Sequence, residues 1–383
     1  MVVNSKDNGG NYGATLRDAT KVPGRIKIYM DGKVSPIYDS GEYEKKNSGC
    51  TIKIRGNTSA VGEKKPYKIK LQKKADLLAN LLGRYDDKYK DKDWILLKDT
   101  LTLRTVTGFM VSDYAGVSWI PEYAFVNVIF NNDYLGPYIL IESINRSEKR
   151  IDVADDGYII ERDAYWWNED VKFFTNSNQK FTFKYPDSDD ITPEQITYIE
   201  NYMNEIEQHV KDGTYDEYID VDSFARWLLV HDILGNNDGA GSNIYMTKYD
   251  SSENSKLFMS TPWDFDGILV RTNSFSAVHG TNRMYSKWML NSENKAFLNA
   301  YKTQWNILAP QLLSYLTSEL AKFDEEFGED LDLSRMYNTI RWSSKYVANS
   351  NPKYTTVHDD ILTVTEYMQN KIVWLDNAIN ELN

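Results

Sequence analysis

Apolar and polar positions alternate along residues 26–30, 51–54 and 67–71, with Gly and Asp between the runs. That period of two predicts half-buried antiparallel strands. Residues 123–130 and 138–141 read as two more strands, joined by the turn Asn131-Asn132-Asp133-Tyr134-Leu135-Gly136. Between these strand groups, Leu103, Val106, Phe109, Met110 and Tyr114 fall at helical spacing, so residues 102–114 are expected to be a helix packed on the sheet. Past residue 192 the period lengthens. Ile196, Ile199, Met203, Ile206 and Val210 recur every three or four places behind Pro193-Glu194, and residues 224–234 form a second apolar helix that ends at Gly235. Helices are also expected over 295–316, 318–327 and 363–382. The pattern predicts an α+β chain: a flexible segment over 1–22, an antiparallel β-rich part over 23–145, and a mostly helical part over 146–383. The change falls in the charged, turn-rich stretch 143–156.

The helical part is interrupted at its most chemically loaded point. Ile244-Tyr245-Met246-Thr247-Lys248-Tyr249 is β-branched and aromatic, whereas residues 250–255 are turn material, so the segment reads as a β-hairpin. Pairing Tyr249 with Lys256 sets Asn243 opposite Pro262 and leaves Asp264 just beyond the open end, beside Asn243. An amide and a carboxylate then converge on one point, the kind of oxygen set that hard divalent cations take. Asp238, on a Gly-rich loop five residues before Asn243, can orient or deprotonate a hydroxyl. Together the three are what a site for a nucleotide triphosphate and Mg²⁺ requires. Protein kinases share the Asp-x-x-x-x-Asn spacing, followed by a metal-binding Asp that opens Asp-Phe-Gly. This chain has Asp264-Phe265-Asp266 instead, and Asn236-Asn237 where kinases carry His-Arg. A solvated hairpin with capping carboxylates fits these residues equally well.

Residues 55–62 link two of the strands and contain Gly56, Asn57, Thr58, Ser59 and Gly62. Such a loop can fold over phosphates with its N–H groups or serve as a plain hairpin connection. Lys65 and Lys68 follow on the next strand, where they can reach the same phosphates or form a solvated edge. Arg104 can contact phosphate or pair with an acidic residue such as Glu142. His231, on an apolar helix, reads as a core or helix-end histidine, while Trp166-Trp167, on a loop, can bind glycans or a protein substrate.

Composition narrows the field. The 383 residues are 41% hydrophobic and 13% aromatic, enough for one large core or two lobes. A net charge of -12 excludes a general binder of nucleic acid or anionic membrane. Nucleotide would need a local basic cluster, and Arg55, Lys64, Lys65, Lys68, Lys70, Lys73 and Lys74 supply one. A lone Cys50 rules out an intramolecular disulfide and cysteine-based metal sites. No run reaches the roughly 18 apolar residues of a membrane span. Abundant Tyr, Asn and Trp with scarce Cys favour a secreted bacterial protein and leave a cytoplasmic one open.

Several blocks, in order, resemble the CotH family, the spore-coat-protein-H-like atypical kinases. They are Ile54-Arg55-Gly56-Asn57-Thr58-Ser59 with Lys64-Lys65-Pro66-Tyr67-Lys68-Ile69-Lys70-Leu71; Trp94-Ile95-Leu96-Leu97 with residues 99–104; residues 131–138 running to Ile141-Glu142; Gly157-Tyr158-Ile159-Ile160-Glu161; residues 218–224; Asn237-Asp238 with Asn243; and Trp263-Asp264-Phe265-Asp266. The resemblance implies a two-lobed atypical protein-kinase-like fold that binds ATP with Mg²⁺ or Mn²⁺ and phosphorylates Ser/Thr hydroxyls of a protein partner. By position it gives Asp238 the catalytic-loop role, Asn243 and Asp264 the metal, and Lys65 or a neighbouring lysine the phosphates of ATP. It also places Glu142 near the nucleotide, where a carboxylate can accept from ribose or adenine or cap the next helix. Pro66, Pro137 and the Arg104-Thr105 pair depart from the family pattern. Two other readings stand beside it. One is a non-catalytic scaffolding member of a coat or extracellular assembly; the other is a carbohydrate-binding or carboxylate-based glycosidase.

Overall fold

The computed structural model describes residues 1–5, 21–60, 62–269, 275–342 and 355–383. The chain forms two compact units. Residues 1–102, 121–144 and 323–359 make the first, and residues 103–120, 145–322 and 360–383 the second.

The first unit is built on strands β1 (Val2–Ser5), β2 (Val22–Ile28), β3 (Tyr38–Asp39), β4 (Cys50–Ile54), β5 (Tyr67–Ala75), β6 (Asp91–Leu97), β7 (Tyr123–Phe130) and β8 (Asp133–Glu142), with a short helix α1 (Ala79–Leu82). β2 and β4 alternate buried and half-buried residues without a break, as the sequence period requires. Neighbours run β1-β7-β8-β6-β5-β4-β2-β3, and β1 also pairs with β2. Seven strands therefore return on themselves as a barrel-like sheet, with β3 added alongside β2. Ile26, Ile52, Ile69, Trp94, Leu96, Val128, Tyr138 and Leu140 are among the residues that fill it.

The closing strand lies where a flexible segment was expected. Val2–Ser5 runs antiparallel to β2 and parallel to β7, with Val3 fully buried; residues 6–20 lie outside the described residues. Nor is this unit a single run of chain. Among residues 323–342, Arg335 Nε donates to Thr100 O at 2.9 Å, Trp342 Nε1 donates to Leu135 O at 3.0 Å, and Arg341 pairs with Asp133 at 2.6 Å. A cut at residue 145 misses this, because the helix that supplies these residues follows the barrel strands by some two hundred positions.

The second unit starts with α2 (Arg104–Tyr114) and holds an antiparallel sheet of order β10-β11-β9-β12-β13. Its strands are β9 (Tyr158–Arg162), β10 (Lys172–Phe174), β11 (Lys180–Tyr185), β12 (Ile244–Lys248) and β13 (Leu257–Met259). Helices α3 (Pro193–Asp212), α4 (Val221–Leu234) and α5 (Ser286–Leu290) accompany it, with parts of α6 (Ala296–Arg341) and α7 (Val357–Asn380). A Thr192–Gln195 capping box, Pro193 in the first turn and Gly213 at the end delimit α3. Where the sequence suggested a break near residue 317, α6 is continuous. Thr317 Oγ1 donates back to Leu313 O at 2.9 Å, so its hydroxyl is satisfied within the helix instead of capping a new one. No helix of the described residues is long and apolar enough to cross a membrane.

Inside the first unit Arg84 bridges two buried carboxylates, Asp76 at 2.7 Å and Glu142 at 2.8 Å. Removing one member of such a set leaves buried charge uncompensated. Arg84→Ala is expected to destabilise the protein by about 3–5 kcal/mol, measured as a lower urea midpoint.

Candidate active site

Asp238 is delivered by the end of α4. Asp220 caps the start of this helix by accepting from Ser223 N at 2.8 Å, and Gly235 ends it in the left-handed region at φ 65°. Asn236 follows, fully buried. Its Oδ1 accepts from Gly239 N at 2.9 Å and its Nδ2 donates to Asp264 O at 2.9 Å. One side chain thus shapes the turn that exposes Asp238 and ties it to the backbone of Asp264. In the sequence Asn236 stands out only as a departure from His-Arg; its position directly after the helix-ending glycine is the signal for its role.

The β12–β13 hairpin has the expected register. Lys248 pairs with Leu257 and Met246 with Met259, the frame that continues to Tyr249 opposite Lys256 and Asn243 opposite Pro262. At the open end Asn243 Nδ2 donates to Asp264 Oδ2 at 3.1 Å. Both residues hold left-handed backbone, φ 55° and 64°, a conformation Asn and Asp tolerate best among non-glycine residues and one that concentrates at functional sites.

Asp264-Phe265-Asp266 supplies two carboxylates around a buried ring. Phe265 packs edge-on against Phe109 at 5.5 Å, and a Cβ at Gly108 of α2 would lie 2.3 Å from the Phe265 ring. Glycine at 108 is therefore a requirement of this close approach. Arg104, also on α2, donates to Asp266 O at 2.8 Å. With Phe265 anchored, carboxylate oxygens of Asp238, Asp264 and Asp266 all lie within 4.8 Å of one another. By position in the family pattern Asn243 and Asp264 are the residues expected at a metal, with Asp238 apart; the structure groups Asp238 with Asp264 and adds Asp266. The signal in the sequence is the alternation Asp-x-Asp, where the kinase pattern has Gly in the third place.

His231 is buried with both ring nitrogens unpartnered among the described residues, and burial pulls its pKa down to about 3. It is a neutral core residue. A cavity of about 710 Å³ in the second unit, with Arg150, Thr247 and Tyr249 in its wall, contains none of the candidate residues and lies toward the turn end of the hairpin.

The remaining candidates lie in the first unit. Arg55 N–H donates to Pro66 O at 3.0 Å, Gly56 holds φ 83°, and Asn57 is exposed. Lys65 Nζ donates to Ala60 O at 2.5 Å, and Lys98 Nζ, not singled out earlier, donates to Ser59 O at 2.6 Å. The loop is held by ammonium groups on its carbonyls. Lys68 pairs with Asp93 at 3.0 Å. Glu142 is 1% exposed; one oxygen meets Arg84 and the other accepts from Glu122 N at 3.1 Å. Its oxygens are engaged inside the protein, which corrects the expectation that it receives ribose or adenine or pairs with Arg104. Lys64, beside Lys65, is buried. It donates to Pro137 O at 2.5 Å and Asn338 Oδ1 at 2.8 Å, lies over the Tyr138 ring, and is pulled down to about 7 by burial.

Over residues 52–375 the sequence matches the family described as CotH kinase protein, which is most of the chain. This chain belongs to the CotH family. No curated protein matches it closely enough to count. Within the CotH match fall the acidic trio, Asn243, the 55–60 loop and its lysines, so every candidate residue lies inside the family region.

Two outcomes follow from this geometry. Gly108→Val in the CotH chain should displace Phe265, lowering stability by about 1–3 kcal/mol and weakening Mn²⁺ binding in calorimetry at temperatures where the variant stays folded. Lys64 titrates near 7 when folded and near 10.5 when unfolded, so between these values the unfolded chain holds more protons and stability gains with rising pH. Lys64→Met should lose that gain: its urea midpoint relative to wild type should fall steadily from pH 7 to pH 10.

Proposed function

We propose that this CotH chain is a metal-dependent protein kinase that transfers the γ-phosphoryl group of ATP to Ser or Thr hydroxyls of a protein partner. The observation that carries the reading is the gathering of Asp238, Asp264 and Asp266 within 4.8 Å, with Asn243 fixed to Asp264. Three like charges at this separation repel unless a cation lies among them. All four residues offer oxygen, since Asn243 directs its Nδ2 to Asp264 and keeps its Oδ1 as a donor atom. This set fits Mg²⁺ or Mn²⁺ and suits no soft metal. A divalent cation there supplies charge neutralisation for phosphate oxygens.

The protein's own groups have separate tasks. Asp238, exposed at its loop, orients the acceptor hydroxyl and takes its proton as the hydroxyl oxygen bonds to the γ-phosphorus; the bond to the β-phosphate oxygen breaks and ADP leaves. Arg55, Gly56, Asn57, Ser59, Lys65 and Lys68 are assigned to ATP phosphates by the same reading, with Arg104 as a further cation. Lys98, which donates to the Ser59 carbonyl, joins them as a basic group that orders the loop. Export or incorporation in a spore coat also belongs to this proposal, supported by the family and by the Tyr- and Asn-rich composition.

With γ-labelled ATP and Mn²⁺, the wild type should label itself or an added protein. Asp238→Ala should keep nucleotide binding and lose turnover by about 10²–10⁴-fold, while Asp264→Ala and Asp266→Ala should lose metal-dependent nucleotide binding. Unchanged Mn²⁺ affinity in both of the latter variants would overturn the metal assignment.

A further inference from the structure

Gly241, three residues past Asp238, is flanked by two guanidinium groups. Arg162 Nη1 donates to Gly241 O at 2.5 Å, and a Cβ at Gly241 would lie 2.9 Å from Arg283 Nη1 and 3.2 Å from its Cζ. Arg283 also reaches Asn237 O at 3.4 Å, a long contact. The positions are built in by the fold. Arg162 ends β9 opposite Ile244 of β12, so it stands at the end of the sheet where Asn243 emerges. Arg283 opens a turn in which Met284 and Tyr285 hold φ 43° and 64°, backbone strain of the kind that functional sites retain.

Two positive groups side by side repel each other and ordinarily recruit a carboxylate. Among the described residues neither arginine forms an ion pair, in a chain with 56 acidic residues. Arg162 uses Nε toward Gln179 Oε1 at 2.7 Å and Nη1 toward Gly241; Arg283 has only the long contact to Asn237 O, and its buried Nε has no partner among the described residues. A guanidinium is a planar fork of N–H donors, so both groups keep donors in reserve beside the loop that carries Asp238. Burial first and the Arg283 charge second pull the Arg162 pKa below its usual value, the direction expected where positive charge is held without its counter-ion.

We propose that Arg162 and Arg283 form an anion subsite for a phosphoryl group, brought either by the nucleotide or by a phosphorylated side chain of the acceptor protein. Planar forks match phosphate oxygens two at a time, and no phosphate-binding role had been read from either residue in the sequence. The identity of the anion rests on the kinase reading; the binding itself does not.

The test uses the full chain with inorganic phosphate as the probe and no divalent cation, followed by calorimetry. Wild type should bind, Arg162→Gln and Arg283→Gln should each weaken binding about tenfold or more, and the double variant should lose it. Arg283→Lys, which keeps the charge and removes the fork, should fall between. Equal phosphate affinity in wild type and in variants that melt like wild type overturns the subsite, as does absence of binding to wild type. Because no metal is present, this result stands apart from the Asp264→Ala and Asp266→Ala experiments, and either can fail alone. A second arm titrates Mg²⁺-ATP and a phosphoserine peptide. A loss in the double variant confined to ATP assigns the nucleotide as the source, and one confined to the peptide assigns the acceptor. No loss for either overturns the proposal.

Discussion

Mutual repulsion among Asp238, Asp264 and Asp266 is the constraint around which this part of the second unit is organised. Carboxylates within 4.8 Å do not remain together through side-chain preference, so the backbone must hold them. Asn236 ties the Asp238 turn to the Asp264 carbonyl, Phe265 is seated against the bare backbone of Gly108, and Arg104 grips the Asp266 carbonyl. None of the three tethers uses a carboxylate oxygen of the trio. The cost of gathering the charged atoms falls on packing and hydrogen bonds that lie behind them.

Much of this was legible because it is local. The hairpin register follows from a β-branched run and a polar turn only six residues long, which is why Asn243 and Asp264 could be brought together from the sequence. Asp266 stands in the same tripeptide, at the place where the kinase pattern carries Gly. Barrel closure was not legible: Val2–Ser5 finds its parallel partner in β7 more than 120 positions later, and no period within either segment announces the other. For Glu142 the sequence could name a position at a strand end but not its partner, since Arg84 approaches it from a separate turn. The length of α6 was hidden by Thr317, whose hydroxyl serves as readily inside a helix as at its cap.

Charge is distributed with a similar economy. This acidic chain keeps its positive groups in defined places, and those places differ in kind. Lys65 and Lys98 are turned onto loop carbonyls; Lys64 is buried deeply enough to be half neutral near pH 7; Arg162 and Arg283 keep donors unused. Counting basic residues along the sequence ranks all of these alike. Their environments separate groups already engaged by carbonyls from groups with donors in reserve.

The helix that completes the first unit carries a consequence for how the chain is made. Asn338 receives the Lys64 ammonium, Arg335 holds the Thr100 carbonyl and Trp342 the Leu135 carbonyl. A ribosome finishes every barrel strand long before it reaches these residues. Until residue 342 has left the exit tunnel, the barrel strands lack the amide that meets Lys64 and the donors that meet the Thr100 and Leu135 carbonyls. Domains usually fold in the order of their synthesis; here the barrel strands wait for a helix that is synthesised some two hundred residues after them.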